Sequence, residues 1–332
     1  MNRSRRAFIG AVAIAVVVVV LKEVATSRAE EKGDPYALPK DCAVREGFVA
    51  VTGGRVWYQR VGSGDATPLL TLHGGPGFGH DYLQPLGRLC AERPVIFYDQ
   101  LGSGKSDRPK DDNLWRVARF VEELGQVRAA LGLKRVHILG QSWGTMLLTS
   151  YMLTKPDGVA SVIFSDPAIS MPQWVKDARR LRSELPAETQ ATLDRHEKLG
   201  STNCYEYQAA VNEYYKRHVC RLAVYPEVLE RAFAGLGQNV YLTMNGPTEF
   251  SVTGNLKDYD RVARLKEIAH PAMFICGRFD EGTPEATESY HRAMPGSEFV
   301  VMEKSSHMPM LEEPDRYIEV VREFIGKNDH AQ

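Results

Sequence analysis

The chain has 332 residues, of which 43% are hydrophobic and 25% are charged, and its formal net charge is −1. This length is sufficient for one large globular domain with an insertion. The near-neutral charge balance argues against a nucleic-acid or other polyanionic partner. The sequence also has no basic stripe of the kind that such partners bind.

The first 29 residues have the pattern of an export signal. Arg3, Arg5 and Arg6 precede an apolar run from 7 to 21, and Ser27-Arg28-Ala29 places small residues at the two positions that a signal peptidase recognises. The Arg5-Arg6 pair predicts the twin-arginine type and export to the periplasm or the exterior. An uncleaved inner-membrane anchor is the alternative, although the apolar run is shorter than the roughly 20 residues that span a bilayer.

After this leader, short apolar runs alternate with helical patterns. Residues 48–58 predict a hairpin with a glycine turn. Strands are predicted at 69–72, 95–98, 135–139, 161–165, 272–276 and 298–302, and helices at about 114–131, 145–154, 284–293 and 314–326. The alternation predicts an α/β fold, a mostly parallel central sheet flanked by helices.

The stretch 168–250 interrupts this alternation with charged and aromatic helical patterns. Because it follows a central strand, we expect it to form a helical cap that covers the carboxyl ends of the strands and roofs the active site. The core of the fold would then comprise 43–167 and 251–328. The charge-rich faces of the cap are interpreted as solvated helix surface.

Five cysteines are present, and two of them lie in the cap. Cys204 and Cys220 are the pair predicted to be able to form a disulfide in an oxidising compartment. Cys42, Cys90 and Cys276 are interpreted as single or buried thiols. The sequence contains neither an H-E-x-x-H motif nor a close Cys/His cluster, so no metal site is predicted. Gly104-Lys105-Ser106 resembles the end of a phosphate-binding loop, but Asp99 stands where that motif requires glycine.

The motif Gly140-Gln-Ser-Trp-Gly144 lies between a predicted strand and a predicted helix. A serine at such a turn, with glycine two positions to each side, is a nucleophile elbow, which makes Ser142 the candidate nucleophile. Upstream, a strand runs into His73-Gly-Gly-Pro-Gly77. In a hydrolase of this kind the loop supplies one backbone N–H to the oxyanion and the residue after the serine supplies the other. Gly75 and Trp143 are the candidate donors.

The acid and the base of such a hydrolase follow the serine in the chain. Asp280 comes directly after the predicted strand 272–276, and His307 comes after 298–302, which makes them the candidate acid and general base. Asp166, at the end of another predicted strand, is the rival acid, and Asp99 is interpreted as holding a turn. The remaining histidines considered are interpreted as packing or surface residues: His80, His137, His196 and His218.

Five motifs, taken together in this order, resemble those of the proline iminopeptidases of the α/β-hydrolase superfamily. They are His73-Gly-Gly-Pro-Gly77, Asp99-Gln-Leu-Gly-Ser-Gly-Lys-Ser106, Gly140-Gln-Ser-Trp-Gly144, Met244-Asn-Gly-Pro-Thr-Glu-Phe250 and Gly277-Arg-Phe-Asp-Glu281. The likeness covers about 45–327 and is greatest to the branch that contains the tricorn-interacting aminopeptidase. It implies a serine exopeptidase, without a cofactor, that releases proline or another small apolar residue from the N-terminus of short peptides.

The resemblance also implies a site for the free α-amine of the substrate. In that branch two glutamates bind the amine, and they fall on Glu249 and Glu281. Carboxylates in a roofed pocket hold a cationic amine by charge-assisted hydrogen bonds, so they select for an unblocked N-terminus. For each glutamate, a solvated loop carboxylate is the alternative interpretation.

This chain departs from the family pattern at the elbow. The family usually has Gly-Gly-Ser-Trp-Gly-Gly there, whereas Gln141 and Thr145 replace two of the glycines. The departures leave the triad untouched but bear on the preference for proline, so an amino-acid amidase or a small-molecule esterase or lactonase of the same fold is the alternative. A non-catalytic binding protein with a vestigial triad is a second, more remote alternative. Labelling by a serine-directed fluorophosphonate would separate the enzymes from the binding protein.

Overall fold

A central sheet of eight strands organises the part of the chain that the computed structural model describes, residues 34–330. The export-signal prediction for 1–29 lies outside these residues. In chain order the strands are β1 Val44–Val51, β2 Gly54–Val61, β3 Leu69–Leu72, β4 Val95–Tyr98, β5 Val136–Gln141, β6 Val159–Ser165, β7 Ala272–Gly277 and β8 Glu298–Met302. Their order in the sheet is β1-β2-β4-β3-β5-β6-β7-β8.

Pairing in the sheet changes from antiparallel to parallel along its width. β1 and β2 form the predicted hairpin, and β2 pairs antiparallel with β4. All the remaining pairs, from β4 across to β8, are parallel. The predicted fold class is therefore confirmed.

The helices of the described residues fall mainly where the sequence patterns place them. They are α1 Val117–Ala130, α2 Trp143–Met152, α3 Met171–Ser183, α4 Ala187–Leu199, α5 Tyr205–His218, α6 Glu227–Ala234, α7 Gln238–Met244, α8 Pro284–Ala293, α9 Pro309–Glu312 and α10 Pro314–Lys327. The segments Asp81–Ala91, Asp112–Leu114 and Val262–Glu267 are 3-10 helical. No helix within 34–330 is long and apolar enough to cross a membrane.

Both faces of the parallel part of the sheet are buried. Along β6, Val162 and Phe164 pack into one apolar cluster, while Ile163 between them packs into another on the opposite face. Neighbouring strands show the same alternation, because successive side chains of a strand point to opposite faces. Two apolar layers, one on each side, explain why these strands are continuous apolar runs in the sequence.

Helices α3–α7 lie between β6 and β7, within the stretch predicted to form a cap. Helices α3, α4 and α5 share a small apolar cluster of their own, which includes Leu181, Leu193 and Tyr207. Helix α6 contacts the 3-10 segment Asp81–Ala91. The division of the chain into two core parts and a cap at 168–250 stays a prediction.

The predicted disulfide pair is wrong, and so is the interpretation of Cys42 and Cys90 as single thiols. Cys42 is bonded to Cys90, with 6.1 Å between their Cα atoms, whereas Cys204 and Cys220 are free. Cys204 precedes helix α5 and Cys220 follows it. A helix of 14 residues holds its ends about 20 Å apart at 1.5 Å per residue, far beyond the Cα separation that a disulfide spans. Cys276 is a buried thiol, as expected.

Candidate active site

The parallel sheet brings four predicted or rival site residues to one edge. Ser142 follows β5, Asp166 follows β6, Asp280 lies three residues beyond β7, and His307 lies in the loop after β8. The register pairs Gln141 with Ser165, Ser165 with Ile275, and Gly277 with Met302, so the strands end within two residues of one another. Loops that leave parallel strands at their carboxyl ends meet at the same edge, where such folds bind ligands.

Ser142 occupies a strained turn between β5 and α2. Its backbone has φ 54° and ψ −123°, a conformation that residues other than glycine rarely adopt. A Cβ atom on Gly140 would overlap the carbonyl of Gly144, and one on Gly144 would overlap the carbonyl of Leu72. Both glycines are therefore required by the close approach of strand and helix.

Thr145 fastens this turn from within helix α2. Its hydroxyl donates to the carbonyl oxygen of Ser142 (2.6 Å) and accepts from the amide of Ala168 (3.0 Å), which lies in the loop after β6. The Ser142 amide in turn donates to the Ser165 carbonyl (3.0 Å). The elbow is thus bonded to the neighbouring strand and its loop on both sides of the serine.

His307 is held by a buried carboxylate. Its Nδ1 lies 2.7 Å from Asp280 Oδ1, which also accepts from the amide of Gly282 (2.8 Å). The imidazole packs edge-on against Trp174, with 5.6 Å between ring centroids. Burial lowers the pKa of His307, only partly offset by nearby carboxylates. A neutral ring whose Nδ1–H donates to Asp280 leaves Nε2 free to accept a proton, which is the state that a general base requires.

The rival acid, Asp166, lies next to Asp280 and His307. Asp166, Asp280 and His307 each present an atom within 4.8 Å of the other two, and all three are buried. Within the described residues no hydrogen bond reaches Asp166 Oδ1 or Asp280 Oδ2. Burial and the charge of Asp280 raise the pKa of Asp166 well above its usual range. Burial also raises the pKa of Asp280, to about 8, although the hydrogen bonds that its carboxylate accepts act against this rise. Because two adjacent buried carboxyls disfavour double ionisation, the bonds from His307 and Gly282 favour the charge on Asp280 and the proton on Asp166.

This trio is also the one group in 34–330 whose histidine and acidic side chains are close enough to share a metal ion. The hydrogen bond between His307 and Asp280, together with a proton on Asp166, accounts for the arrangement without an ion.

The two candidate oxyanion donors face the same small cavity as the serine. Gly75, Pro76, Ser142 and Trp143 all line it. Gly75 has φ 110°, which a residue with a side chain rarely adopts, and the Gly75-Pro76 peptide is cis. Trp143 is the first residue of α2, so its amide is one of those that a helix leaves without an internal acceptor. The Trp143 indole nitrogen donates to Gln100 Oε1 (2.8 Å), which fixes the position of this side chain.

The remainder of the cavity wall is apolar apart from two residues. Met146, Ala168, Met171, Trp174 and Leu256 form the apolar part, and Asn245 and Glu249 complete it. An enclosure of this composition suits a small apolar side chain beside the serine.

Glu249 and Glu281 are brought together by the structure. Glu249 lines the cavity and accepts a hydrogen bond from the Tyr241 hydroxyl (2.6 Å). Glu281 is fully buried, and its carboxylate oxygens have no partner in ideal hydrogen-bond geometry in the described part of the chain, although the neighbouring Tyr214 hydroxyl acts to lower its pKa. Burial, followed by the charge of Glu249, raises the pKa of Glu281 well above its usual range. A buried carboxylate without partners is costly unless a cation pairs with it.

Several residues of the site were not predicted from the sequence. Trp174 contacts the imidazole and donates to the Glu249 carbonyl (2.8 Å), and Tyr241 holds the Glu249 side chain. The carbonyl of His218 accepts from the amides of both Glu281 and His307, at 3.3 Å each. The aromatic content of 168–250 was the available signal for the first two, whereas a backbone contact leaves no signal in the sequence.

Asp99 and two of the other histidines, His80 and His137, lie where packing explains them. Asp99 accepts from the amides of His80 and Lys105 and from the His80 ring, all at 2.8 Å, which confirms that it holds a turn. His137 is buried within β5 and pairs with Ser161 Oγ (2.8 Å).

Comparisons with known proteins agree with the fold. A family model described as the alpha/beta hydrolase fold matches residues 67–314. A proline iminopeptidase of Heyndrickxia coagulans is 51% identical over 283 residues, which cover 85% of this chain and 98% of that protein. A proline iminopeptidase of Saccharolobus solfataricus is 40% identical, with 86% and 93% covered. The crystal structure of a Mycobacterium smegmatis proline iminopeptidase has a TM-score of 0.81 at 36% identity and covers 86% of this chain and 99% of its own.

Proposed function

This chain belongs to the proline iminopeptidase family of the α/β-hydrolase fold and is a serine aminopeptidase of that type, and we propose that Ser142, His307 and Asp280 are its nucleophile, general base and acid. The observation that supports these roles most strongly is the 2.7 Å bond between His307 and Asp280 in the loops beside the strained Ser142 turn. Nucleophile, base and orienting acid in this relation are the triad of serine hydrolases.

The proposed reaction proceeds through an acyl-enzyme. Ser142 Oγ attacks the carbonyl carbon of the first peptide bond while His307 Nε2 takes its proton, and the imidazolium then gives that proton to the leaving amine. Water, activated by the same imidazole, releases the N-terminal residue. The amides of Gly75 and Trp143 stabilise the oxyanion, and the loss of one such donor typically raises the barrier by about 2.7–4 kcal/mol.

Glu249 and Glu281 bind the α-ammonium of the substrate in this proposal. The burial of Glu281 supports it, because a charged carboxylate at this place is stabilised by a cation and no side chain of the described residues supplies one. An N-terminal proline carries two N–H donors on its ammonium nitrogen, so one donor is available for each glutamate. The bound cation would also favour the charged form of both carboxyls against the effect of burial. The apolar cavity beside Ser142 would receive the ring of proline or another small side chain.

Fluorophosphonate labelling tests the assignment of the nucleophile. We expect the reagent to modify the protein once, at Ser142, as located by peptide mass spectrometry. Ser142→Ala should abolish both labelling and hydrolysis of prolyl-naphthylamide while the protein stays folded. Ser150→Ala is the matched control, since Ser150 lies on the same helix and its hydroxyl contacts Tyr259 at 3.0 Å. Labelling that persists at another serine in Ser142→Ala would overturn the assignment.

The protein is further proposed to act outside the cytoplasm, after export by the twin-arginine route. The leader pattern of 1–29 supports this location. The disulfide between Cys42 and Cys90 supports it independently, because disulfides persist in oxidising compartments and are rare in the cytosol.

A further inference from the structure

A chain of three buried hydrogen bonds links the oxyanion loop to the histidine loop. The amide of Gly74 donates to the hydroxyl oxygen of Tyr82 (2.7 Å), and the Tyr82 hydroxyl donates to Gln141 Oε1 (2.6 Å). Gln141 Nε2 then donates to the carbonyl oxygen of His307 (3.0 Å). Tyr82 and Gln141 are buried, so no water competes for these bonds. Each of these three donors has one acceptor, and each donor–acceptor distance lies in the normal range for a hydrogen bond.

Gln141 is well placed to act on the site because it directly precedes Ser142. Its backbone ends strand β5, while its side chain reaches the two loops that carry Gly75 and His307. The space around it is filled: a Cβ on Gly74 would lie only 2.7 Å from Gln141 Oε1. A glycine at 141, the residue more usual in the family, would leave Tyr82 and the His307 carbonyl without this partner.

We propose that Gln141 and Tyr82 are positioning residues that set the distances of His307 and of the oxyanion donors from Ser142. The inference rests on the proposed roles of Ser142, His307 and Gly75. One rigid amide fixes both loops to the residue beside the nucleophile, so the loops cannot shift independently of it. Misplacement of reacting groups by about 1 Å can reduce a rate on the order of 100-fold.

Two variants remove these hydrogen bonds and change the shape of the side chains little. Gln141→Met keeps the length of the side chain and removes both of its hydrogen bonds. Tyr82→Phe removes the bonds to Gly74 and Gln141 and leaves the bond between Gln141 and His307 in place. For each variant we expect kcat for prolyl-naphthylamide to fall about 10- to 100-fold, with KM within about 3-fold, since the substrate amine and side chain bind elsewhere.

The rate of fluorophosphonate labelling should fall in proportion to kcat, because it depends on the same nucleophile and base. The double variant should be no more than about 3-fold slower than the slower single variant, as residues that act as one unit are not additive. If the fold-losses in kcat of the two single variants multiplied in the double variant, Gln141 and Tyr82 would not act as one unit.

Gln59→Met is the matched control. Gln59 is also a buried glutamine, but it lies on β2 and its side-chain oxygen has no hydrogen-bond partner in 34–330. We expect this variant to keep kcat within about 2-fold of the parent. If Gln141→Met and Tyr82→Phe lower only the melting temperature and keep kcat as Gln59→Met does, the chain is structural and the proposal is wrong.

The same experiment separates the two proposals. If Ser142→Ala retains activity, the proposed function itself fails. If Ser142→Ala is inactive while Gln141→Met and Tyr82→Phe are both fully active, only the positioning role fails. Should Gln141→Met not fold, Tyr82→Phe alone decides the question through its kcat and KM.

Discussion

At the scale of single residues, the buried acid pair explains how one of two adjacent carboxyls becomes the partner of His307. Asp280 receives bonds from His307 and from the Gly282 amide, whereas Asp166 receives one from the Ser165 hydroxyl (2.7 Å). The environment of Asp280 therefore stabilises a negative charge better. A protonated Asp166 is able to donate to the neighbouring Asp280, whose Oδ2 has no other partner in the described residues.

Asparagine substitutions distinguish the two acids. Asp280→Asn should lower kcat about 10³- to 10⁴-fold, because an amide cannot orient and stabilise the imidazolium of His307. Asp166→Asn should lower kcat less than about 10-fold, since its amide still offers an N–H to Asp280 and adds no charge. Steady-state hydrolysis of prolyl-naphthylamide measures both. If kcat fell further in Asp166→Asn than in Asp280→Asn, Asp166 would be the acid of the triad.

The predicted site residues that the structure gathers at one edge, Ser142, Asp280 and His307, could be found from sequence because each follows an apolar strand pattern. The role of Gln141 could not be found in this way. Its partners Tyr82 and His307 lie 59 and 166 residues away, and only the fold brings them together. From sequence alone Gln141 was no more than a departure from a motif.

At the scale of secondary-structure elements, the disulfide pins the chain segment before β1 to the 3-10 segment Asp81–Ala91. Cys42 lies in the first and Cys90 in the second. Tyr36, in the same N-terminal segment, donates to the Leu311 carbonyl (3.2 Å). Nothing local marks this pairing, because cysteines 48 residues apart give no sequence signal of contact.

Removal of this disulfide should destabilise the protein. The bond closes a loop of 48 residues, for which the chain-entropy model gives roughly 4 kcal/mol. We expect the Cys42→Ser/Cys90→Ser double variant to lose about that much unfolding free energy in urea titrations. Cys204→Ser is the control and should change it by less than about 0.5 kcal/mol. An unchanged midpoint in the double variant would show that the bond does not constrain the unfolded chain.

Strands were easier to predict than the helices between β6 and β7. A parallel strand buried on both faces is a continuous apolar run, as in β3 and β4, and its bounds follow from the run. Helices α3–α7 expose much of their surface and pack partly on one another, so their patterns are weaker. The sequence therefore predicted helices in this stretch but not their number or ends.

At the scale of the whole molecule, the export proposal predicts where the active enzyme accumulates. Replacing Arg5 and Arg6 by lysines keeps the positive charge of the leader but removes the pair that the twin-arginine receptor recognises. We expect the variant to remain in the cytoplasm, as measured by aminopeptidase activity in cell fractions. Unchanged activity in the periplasmic fraction would indicate the general secretory route or a membrane anchor instead.

In the proposed function, two glutamates beside the serine site make the enzyme an exopeptidase. Glu249 and Glu281 can be tested separately from the triad with a substrate that lacks an amine. Glutamine at either position should lower kcat/KM for prolyl-naphthylamide much more than for a simple naphthyl ester, because only the first substrate presents an ammonium. Equal losses on both substrates would assign the glutamates a structural role and favour an amidase or esterase.

The most direct measurement is the ratio of kcat/KM for prolyl-naphthylamide to that for its N-acetylated form. Acetylation removes the cation that Glu249 and Glu281 are proposed to bind, at a cost of about 1–3 kcal/mol or more. We therefore expect the acetylated substrate to react at least roughly 10- to 100-fold more slowly in the unmodified enzyme. Equal kcat/KM for the two substrates would contradict recognition of the free N-terminus.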